Sequence, residues 1–91
     1  MIEINSSLKP VNHFNIHKDI IRSIKRYKGF IITASEDNSV RLFNTENESV
    51  KTLLESDNFI QDILIIGSKL YAAGFDGKIT SIDIPFIDTN L

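Results

Sequence analysis

Two histidines are the first residues of this chain whose type and spacing are suited to chemistry. His13 and His17 are four positions apart, which on a helix would let two imidazoles bind one zinc ion. Phe14 stands where a zinc hydrolase motif carries its water-activating glutamate, and on a strand the two rings would be roughly 13 Å apart. A small enzyme or metal protein that uses these histidines is therefore kept only as a third alternative.

Two aspartates, Asp37 and Asp76, also stand out, because they are 39 positions apart in similar surroundings. Each lies in a segment typical of a hairpin turn, where a carboxylate accepts hydrogen bonds from nearby backbone amides. Nothing in the sequence fixes a distance between the two carboxylates. We therefore expect turn residues and not a pair of catalytic acids.

Other catalytic arrangements find no support in the sequence. Cysteine is absent, and every serine lies in a predicted turn or at a strand edge, so no nucleophile stands beside a base. Gly74 and Gly77 lack the Lys-Ser/Thr pair of a phosphate-binding loop. The sequence predicts no enzyme, no catalytic residue, no cofactor and no metal ligand.

The 39-residue spacing extends well beyond the two aspartates. The matched positions are mostly apolar residues of strand-like segments, and a fixed period of this length indicates a repeated supersecondary unit. They are Ile21 with Ile60, Ile24 with Ile63, Ala34 with Ala73, and Val40 with Ile79.

Each repeat is predicted to consist of short strands joined by tight turns. Residues 8–14 are expected to form an edge strand because Pro10 interrupts them. A helix over residues 16–27 is the alternative, since four isoleucines there also fit a helical period. The predicted strands cover residues 20–24, 30–35, 39–44 and 50–54 in the first repeat, and 59–66, 69–74 and 78–84 in the second.

Four short antiparallel strands per repeat are typical of one blade of a β-propeller. We therefore expect an all-β fold with two four-stranded antiparallel propeller-type blades. Because propellers close at roughly four to eight blades, this partial propeller does not make a closed ring. The expected division is an outer strand over residues 1–15, blade one over 16–54, and an incomplete blade two over 55–91.

The first repeat resembles a WD repeat. In that family, a Gly-His pair leads through a V-x-x-V strand and an S-x-S-x-D hairpin to a T-V-x-L-W-D strand, and the resemblance covers residues 16–84. It implies a β-propeller with a hydrogen-bond network inside each blade. The residues it assigns to this network are His17, Thr33 or Ser35, Asp37, Phe43 at the tryptophan position, and Asp76 in the second repeat.

Several positions depart from the family pattern. Phe43 replaces the tryptophan and has no indole N–H to donate, so the first network is expected to be truncated. Ser56 replaces the histidine of the second repeat, whose network is expected to be absent apart from Asp76. The other departures are Ile16 for the glycine, Asn44 for the final aspartate, and Ile82 for the second tryptophan.

The resemblance also places four residues at one end of the propeller. Ile20 and Phe59 lie at the entry to the first strand of each repeat, and Glu36 and Phe75 precede the hairpin aspartates. Large apolar side chains exposed together indicate a protein or peptide contact. The alternative is that Phe59 and Phe75 pack in the core.

Composition limits the class of partner. The chain has 91 residues with 10 Lys and Arg against 12 Asp and Glu, and no basic stripe to neutralise a phosphate backbone, so no nucleic-acid partner is expected. No secretory signal is evident, and no apolar stretch approaches the ~20 residues that span a bilayer. No membrane association is expected, and the protein is predicted to be intracellular, in the cytoplasm or the nucleus.

These observations together predict a non-catalytic protein–protein interaction scaffold, a fragment or truncated member of a WD-repeat propeller. Its expected partner is a protein or peptide, or the remainder of a longer propeller. The alternative is a self-assembling structural unit, a homo-oligomer that completes a propeller from several copies.

Overall fold

The computed structural model describes residues 8–85, and within that range it contains β-strands and no helix. None of these residues therefore forms a helix that could cross a bilayer. The all-β prediction is confirmed, and the alternative helix over residues 16–27 is wrong because β1 occupies its second half. The strands are β1 (Ile21–Tyr27), β2 (Phe30–Ser35), β3 (Ser39–Phe43), β4 (Val50–Glu55), β5 (Ile60–Ile66), β6 (Lys69–Gly74) and β7 (Ile79–Asp83).

The strands form two antiparallel sheets in which sequence neighbours pair. Sheet one has the order β1-β2-β3-β4, and sheet two has the order β5-β6-β7 within the described residues. The first sheet thus has the four strands that were expected. The second has three, and the two sheets do not close into a ring.

The backbone pairing of sheet one recurs in sheet two with a constant offset. Ile21 pairs with Ser35, and 39 residues later Ile60 pairs with Gly74. A bulge follows each of these pairs at the same place, between Ile21 and Ser23 and between Ile60 and Asp62. The repeat inferred from a few apolar identities is therefore a repeat of the backbone register itself.

The turns follow the same offset. Lys28 and Gly67, which lie between the first two strands of each sheet, both have positive φ angles, 48° and 60°. Asn38 and Gly77, which lie between the second and third strands, have φ angles of 72° and 80°. Glycine and asparagine tolerate this left-handed region best, which explains three of the four residue types.

Side chains alternate between two faces of each sheet, here called the front face and the rear face. The front face of sheet one is apolar and buried along β2 and β3, and it packs against the rear face of sheet two, with most contact between β5 and strands β1 and β2. The front-face residues are Tyr27, Phe30, Ile32, Ala34, Val40 and Leu42, and the rear-face residues are Ile60, Ile63, Leu70 and Ala72.

The outer strand predicted for residues 1–15 is not observed in the part that the structure describes. Residues 8–15 form no strand, and residues 1–7 lie outside the described range. The Phe14 ring packs on Phe43, 4.8 Å between centroids, so the chain here crosses the rear face of sheet one. Pro10 has no N–H to donate to a sheet edge, and Leu8 and Val11 are exposed.

Candidate functional site

A polar network beside the β2–β3 turn of sheet one centres on the buried side chain of His17. Its Nε2 lies 2.6 Å from the Thr33 hydroxyl oxygen, and its Nδ1 lies 3.0 Å from a carboxylate oxygen of Asp37. The side chain is 0% exposed. The contacts fit the tautomer in which Nδ1–H donates to Asp37 and Nε2 accepts from Thr33. One imidazole thus joins the segment before β1, strand β2 and the β2–β3 turn.

Asp37 is the acceptor at the centre of this network. Besides His17, the backbone amides of Lys18 and Ser39 donate to its carboxylate, each at 3.0 Å, and the Ser39 hydroxyl donates at 2.5 Å. Burial acts to raise the pKa of Asp37, but the hydrogen bonds from Ser39, Lys18 and His17 outweigh it, and the pKa lies well below its ordinary value. The carboxylate is therefore ionised at neutral pH.

Ser35 and Phe43 are the other two residues of the first repeat that were assigned to the network, and each contributes to it indirectly. The Ser35 hydroxyl donates to the Asp19 carbonyl at 3.2 Å and accepts from the Asp37 amide at 3.0 Å. Of the two candidate hydroxyls, Thr33 is thus the one that contacts His17. Phe43 is buried against Phe14 and supplies packing, with no hydrogen-bond donor on its ring.

Ser39 is a member of the network that sequence reasoning missed. Its hydroxyl oxygen lies 3.1 Å from His17 Nδ1 as well as 2.5 Å from Asp37. An aspartate in a turn with serine two positions later is the available signal, since the serine amide and hydroxyl both reach back to the carboxylate. Arg41 was also missed, and its Nη1 donates to the Ile16 carbonyl at 2.5 Å.

The second repeat keeps the turn and loses the network. Asp76 accepts from the Lys78 amide at 3.1 Å, which matches the bond from the Ser39 amide to Asp37. Gly74 stands where the first repeat has Ser35, and a Cβ there would lie 2.7 Å from an Asp76 carboxylate oxygen. The Asp76 carboxylate therefore lies too close to Gly74 to admit a side chain there without moving, and the structure does not bring Asp76 together with His17.

Residues 8–85 contain no group of side chains arranged to bind a metal ion. No three histidine, cysteine or acidic side chains are grouped there as ligands. Both ring nitrogens of His17 are engaged by Thr33 and Asp37, whereas His13 is exposed. The two histidines therefore do not act together.

The four predicted contact residues form two equivalent pairs. The amide of Phe75 donates to the Phe59 carbonyl at 2.9 Å, and the amide of Glu36 donates to the Ile20 carbonyl at the same distance. The rings of Phe59 and Phe75 are 5.7 Å apart between centroids. Because Phe59 is 39% and Phe75 is 56% exposed, these rings lie on the surface, and the alternative that they pack in the core is wrong.

Both pairs lie at the same end of the molecule. Ser23 is hydrogen-bonded to Asp62, and Ile20 and Phe59 stand three positions before these two residues. Glu36 forms an ion pair with Arg22 at 3.3 Å. We call the surface formed by Ile20, Glu36, Phe59 and Phe75 the end surface.

Comparisons with known proteins address the fold. No family model matches this chain, and no curated protein shows significant similarity to it. Among solved structures, the chain is similar to the crystal structure of the computationally designed Ika4 protein, with a TM-score of 0.73 and 9% sequence identity. The match covers 86% of this chain and 49% of that one, so the chain spans about half the length of the designed protein. At this identity the likeness concerns the fold alone.

Proposed function

We propose that this chain is a non-catalytic interaction module of the WD-repeat propeller type, which binds an apolar peptide segment of a protein partner at the end surface. The observation that carries the proposal is the exposed pair of Phe59 and Phe75 rings, 5.7 Å apart, beside the exposed side chain of Ile20.

Two features support a propeller-type architecture. The two sheets share one backbone register at a 39-residue offset, and the front face of one packs on the rear face of the next, as blades do in a propeller. The contacts among His17, Thr33 and Asp37 are those that the WD-repeat resemblance implies.

The network serves to hold a loop and is poorly placed for catalysis. His17 is fully buried and both of its ring nitrogens are engaged, so no substrate reaches them without unfolding the loop. The bonds from the Lys18 amide to Asp37 and from Ser35 to the Asp19 carbonyl fix the chain just before β1. This arrangement presents Ile20 at a fixed position on the end surface.

The chemistry of the end surface favours an apolar partner segment. Glu36 already has Arg22 as its counter-ion, so the uncompensated feature is apolar and aromatic. Full burial of an exposed phenyl side chain contributes roughly 1.5–3 kcal/mol, so covering Phe59 or Phe75, each already about half buried, contributes roughly half of that. Two adjacent rings also offer an anchor for one large side chain. We therefore expect a peptide whose central residue is aromatic or aliphatic.

Selection from a random displayed-peptide library against the immobilised full chain tests this proposal. We expect peptides enriched in large apolar side chains, and we expect the Phe59→Ser, Phe75→Ser double variant to lose at least about tenfold in affinity for them. The control is Ile79→Ser, which removes a still more exposed apolar side chain from a different surface and is expected to leave the affinity unchanged. Failure to enrich any peptide, or equal binding by the double variant, would contradict the proposal.

A further inference from the structure

The front face of sheet two repeats the positions that build the core in sheet one, but nothing among residues 8–85 covers it. In sheet one, Ala34 and Val40 are fully buried beneath sheet two. Their equivalents 39 positions later are Ala73 and Ile79, and both are exposed, with Ile79 at 74%. The same backbone position is thus core in one sheet and surface in the other.

The uncovered front face of sheet two is a continuous apolar patch. Tyr71 pairs directly with Leu64 on one side, and Ala73 pairs with Ile79 on the other, so these side chains are neighbours on one face. Leu64 and Ile66 are 56% and 59% exposed. Contiguous exposed apolar side chains of this kind mark an interaction surface.

The rear face of sheet one shows the complementary feature. Ile21 and Ile24 are exposed there, at 45% and 63%. Their equivalents on the rear face of sheet two, Ile60 and Ile63, are 1% and 3% exposed because they pack against the front face of sheet one. The residue type is isoleucine at all four positions.

We propose that copies of this chain associate front to rear, with the front face of sheet two in one copy packed on the rear face of sheet one in the next. The segment through Phe14 and His17 covers the rear face of sheet one at β2 and β3 and leaves its β1 part exposed. This exposed part and the front face of sheet two are the two halves of the contact that already joins the sheets within one chain. A second copy presents Ile21 and Ile24 where the chain itself presents Ile60 and Ile63. The second copy thus extends the same sheet-to-sheet packing that the two sheets of one chain already form.

A front-to-rear contact uses different surfaces on the two partners. Such a heterologous contact either closes into a ring or grows into an open array, depending on the rotation between copies. It shares no residue with the end surface. The association and the proposed peptide binding can therefore fail independently, and each supplies a control for the other.

Sedimentation velocity of the full chain at increasing micromolar concentration tests the association. We expect the wild type to form oligomers, and we expect Ile79→Asp and Ile24→Asp to be monomeric, because each places a carboxylate within one of the two contacting apolar surfaces. Mixing the two variants provides the decisive comparison. The intact front face of Ile24→Asp fits the intact rear face of Ile79→Asp, so the mixture is expected to form a dimer and nothing larger.

Several results would overturn the proposal. These are a wild type that stays monomeric at every concentration, an Ile24→Asp variant that associates like the wild type, and a mixture that remains monomeric. The control Phe75→Asp, on the end surface, is expected to associate normally, and its loss of association would count against the assigned faces. Both test positions are exposed, and Leu64→Asp provides a second front-face variant if Ile79→Asp loses its far-ultraviolet circular dichroism.

Discussion

The Ser23 hydroxyl donates a hydrogen bond to Asp62 at 2.7 Å, and the two residues are 39 positions apart. They are therefore equivalent positions of the two repeats, and each follows the bulge in the first strand of its sheet. The same Asp62 oxygen accepts from the Ile63 amide at 2.8 Å. The first strands of the two sheets are thus joined by a specific polar contact as well as by apolar packing.

Removing this hydroxyl should change the titration of Asp62. The bond from Ser23 is the main cause that holds the pKa of Asp62 below its ordinary value of 3.8. We expect Ser23→Ala to raise that pKa toward 3.8, as measured by NMR of the side-chain carboxyl carbon across an acid titration. Ser68→Ala, at an exposed turn, is the control. An Asp62 pKa that is the same in Ser23→Ala and the wild type would contradict the contact.

Replacing His17 should destabilise the fold strongly. His17→Phe keeps a ring of similar size but leaves Thr33 and Asp37 without their imidazole partner. Because an unsatisfied buried polar group costs about 1–3 kcal/mol, we expect the free energy of unfolding to fall by at least about 2 kcal/mol in urea denaturation. His13→Phe, at an exposed position, should stay within about 0.5 kcal/mol of the wild type. Equal effects of the two changes would exclude a special role for His17.

Asp37 should make stability depend on acid pH. Its pKa in the folded state is lower than the ordinary value of 3.8, so the unfolded chain takes up the proton first as the pH falls. The stabilisation from the ionised carboxylate is complete above about pH 5 and is lost as the pH falls below about 4 toward the folded-state pKa. We expect the difference in free energy of unfolding between wild type and Asp37→Asn to be constant near neutral pH and to shrink in acid. A difference that grows as the pH falls would have the wrong sign.

Much of the fold follows from the sequence because turn chemistry brackets the strands. The bounds of β2 and β6 agree with the prediction at both ends, since Gly29 and Gly67 precede them and the hairpin aspartates follow. β1 runs to Tyr27, three residues further than predicted. The bulge after Ile21 shifts the alternation of its apolar residues, and sequence periodicity does not reveal such a shift.

The candidate sites were predictable only where local chemistry determines them. Asp37 is recognisable because a turn carboxylate caps its own backbone. Asp62 is not, because an acidic residue in a strand looks like an ordinary solvated side chain until the packing of the other sheet brings Ser23 to it. The edge strand expected before residue 15 is not observed in the described residues for a similar reason. Phe14 packs on Phe43 of β3, and a tertiary contact of this kind cannot be recognised from the local sequence.

Placing a tryptophan at position 43 should strengthen the network. We expect Phe43→Trp to raise the free energy of unfolding by about 0.5–1.5 kcal/mol, because the indole N–H gains the Thr33 hydroxyl as an acceptor. The partly exposed Phe14 ring can shift to admit the larger side chain. A double-mutant cycle with Thr33→Val measures the coupling, and the gain should vanish in that background. Destabilisation by Phe43→Trp in the wild-type background would mean that the network does not extend to this position.

Backbone-amide NMR of the labelled full chain, titrated with a peptide from the displayed library, tests the proposed interaction module most directly. We expect saturable chemical-shift changes at Ile20, Glu36, Phe59 and Phe75, and none of comparable size at Ile79 on the front face of sheet two. Loss of those changes in the Phe59→Ser, Phe75→Ser variant would complete the expected result. Changes confined to the front face of sheet two, or no saturable change at any amide, would contradict binding at the end surface.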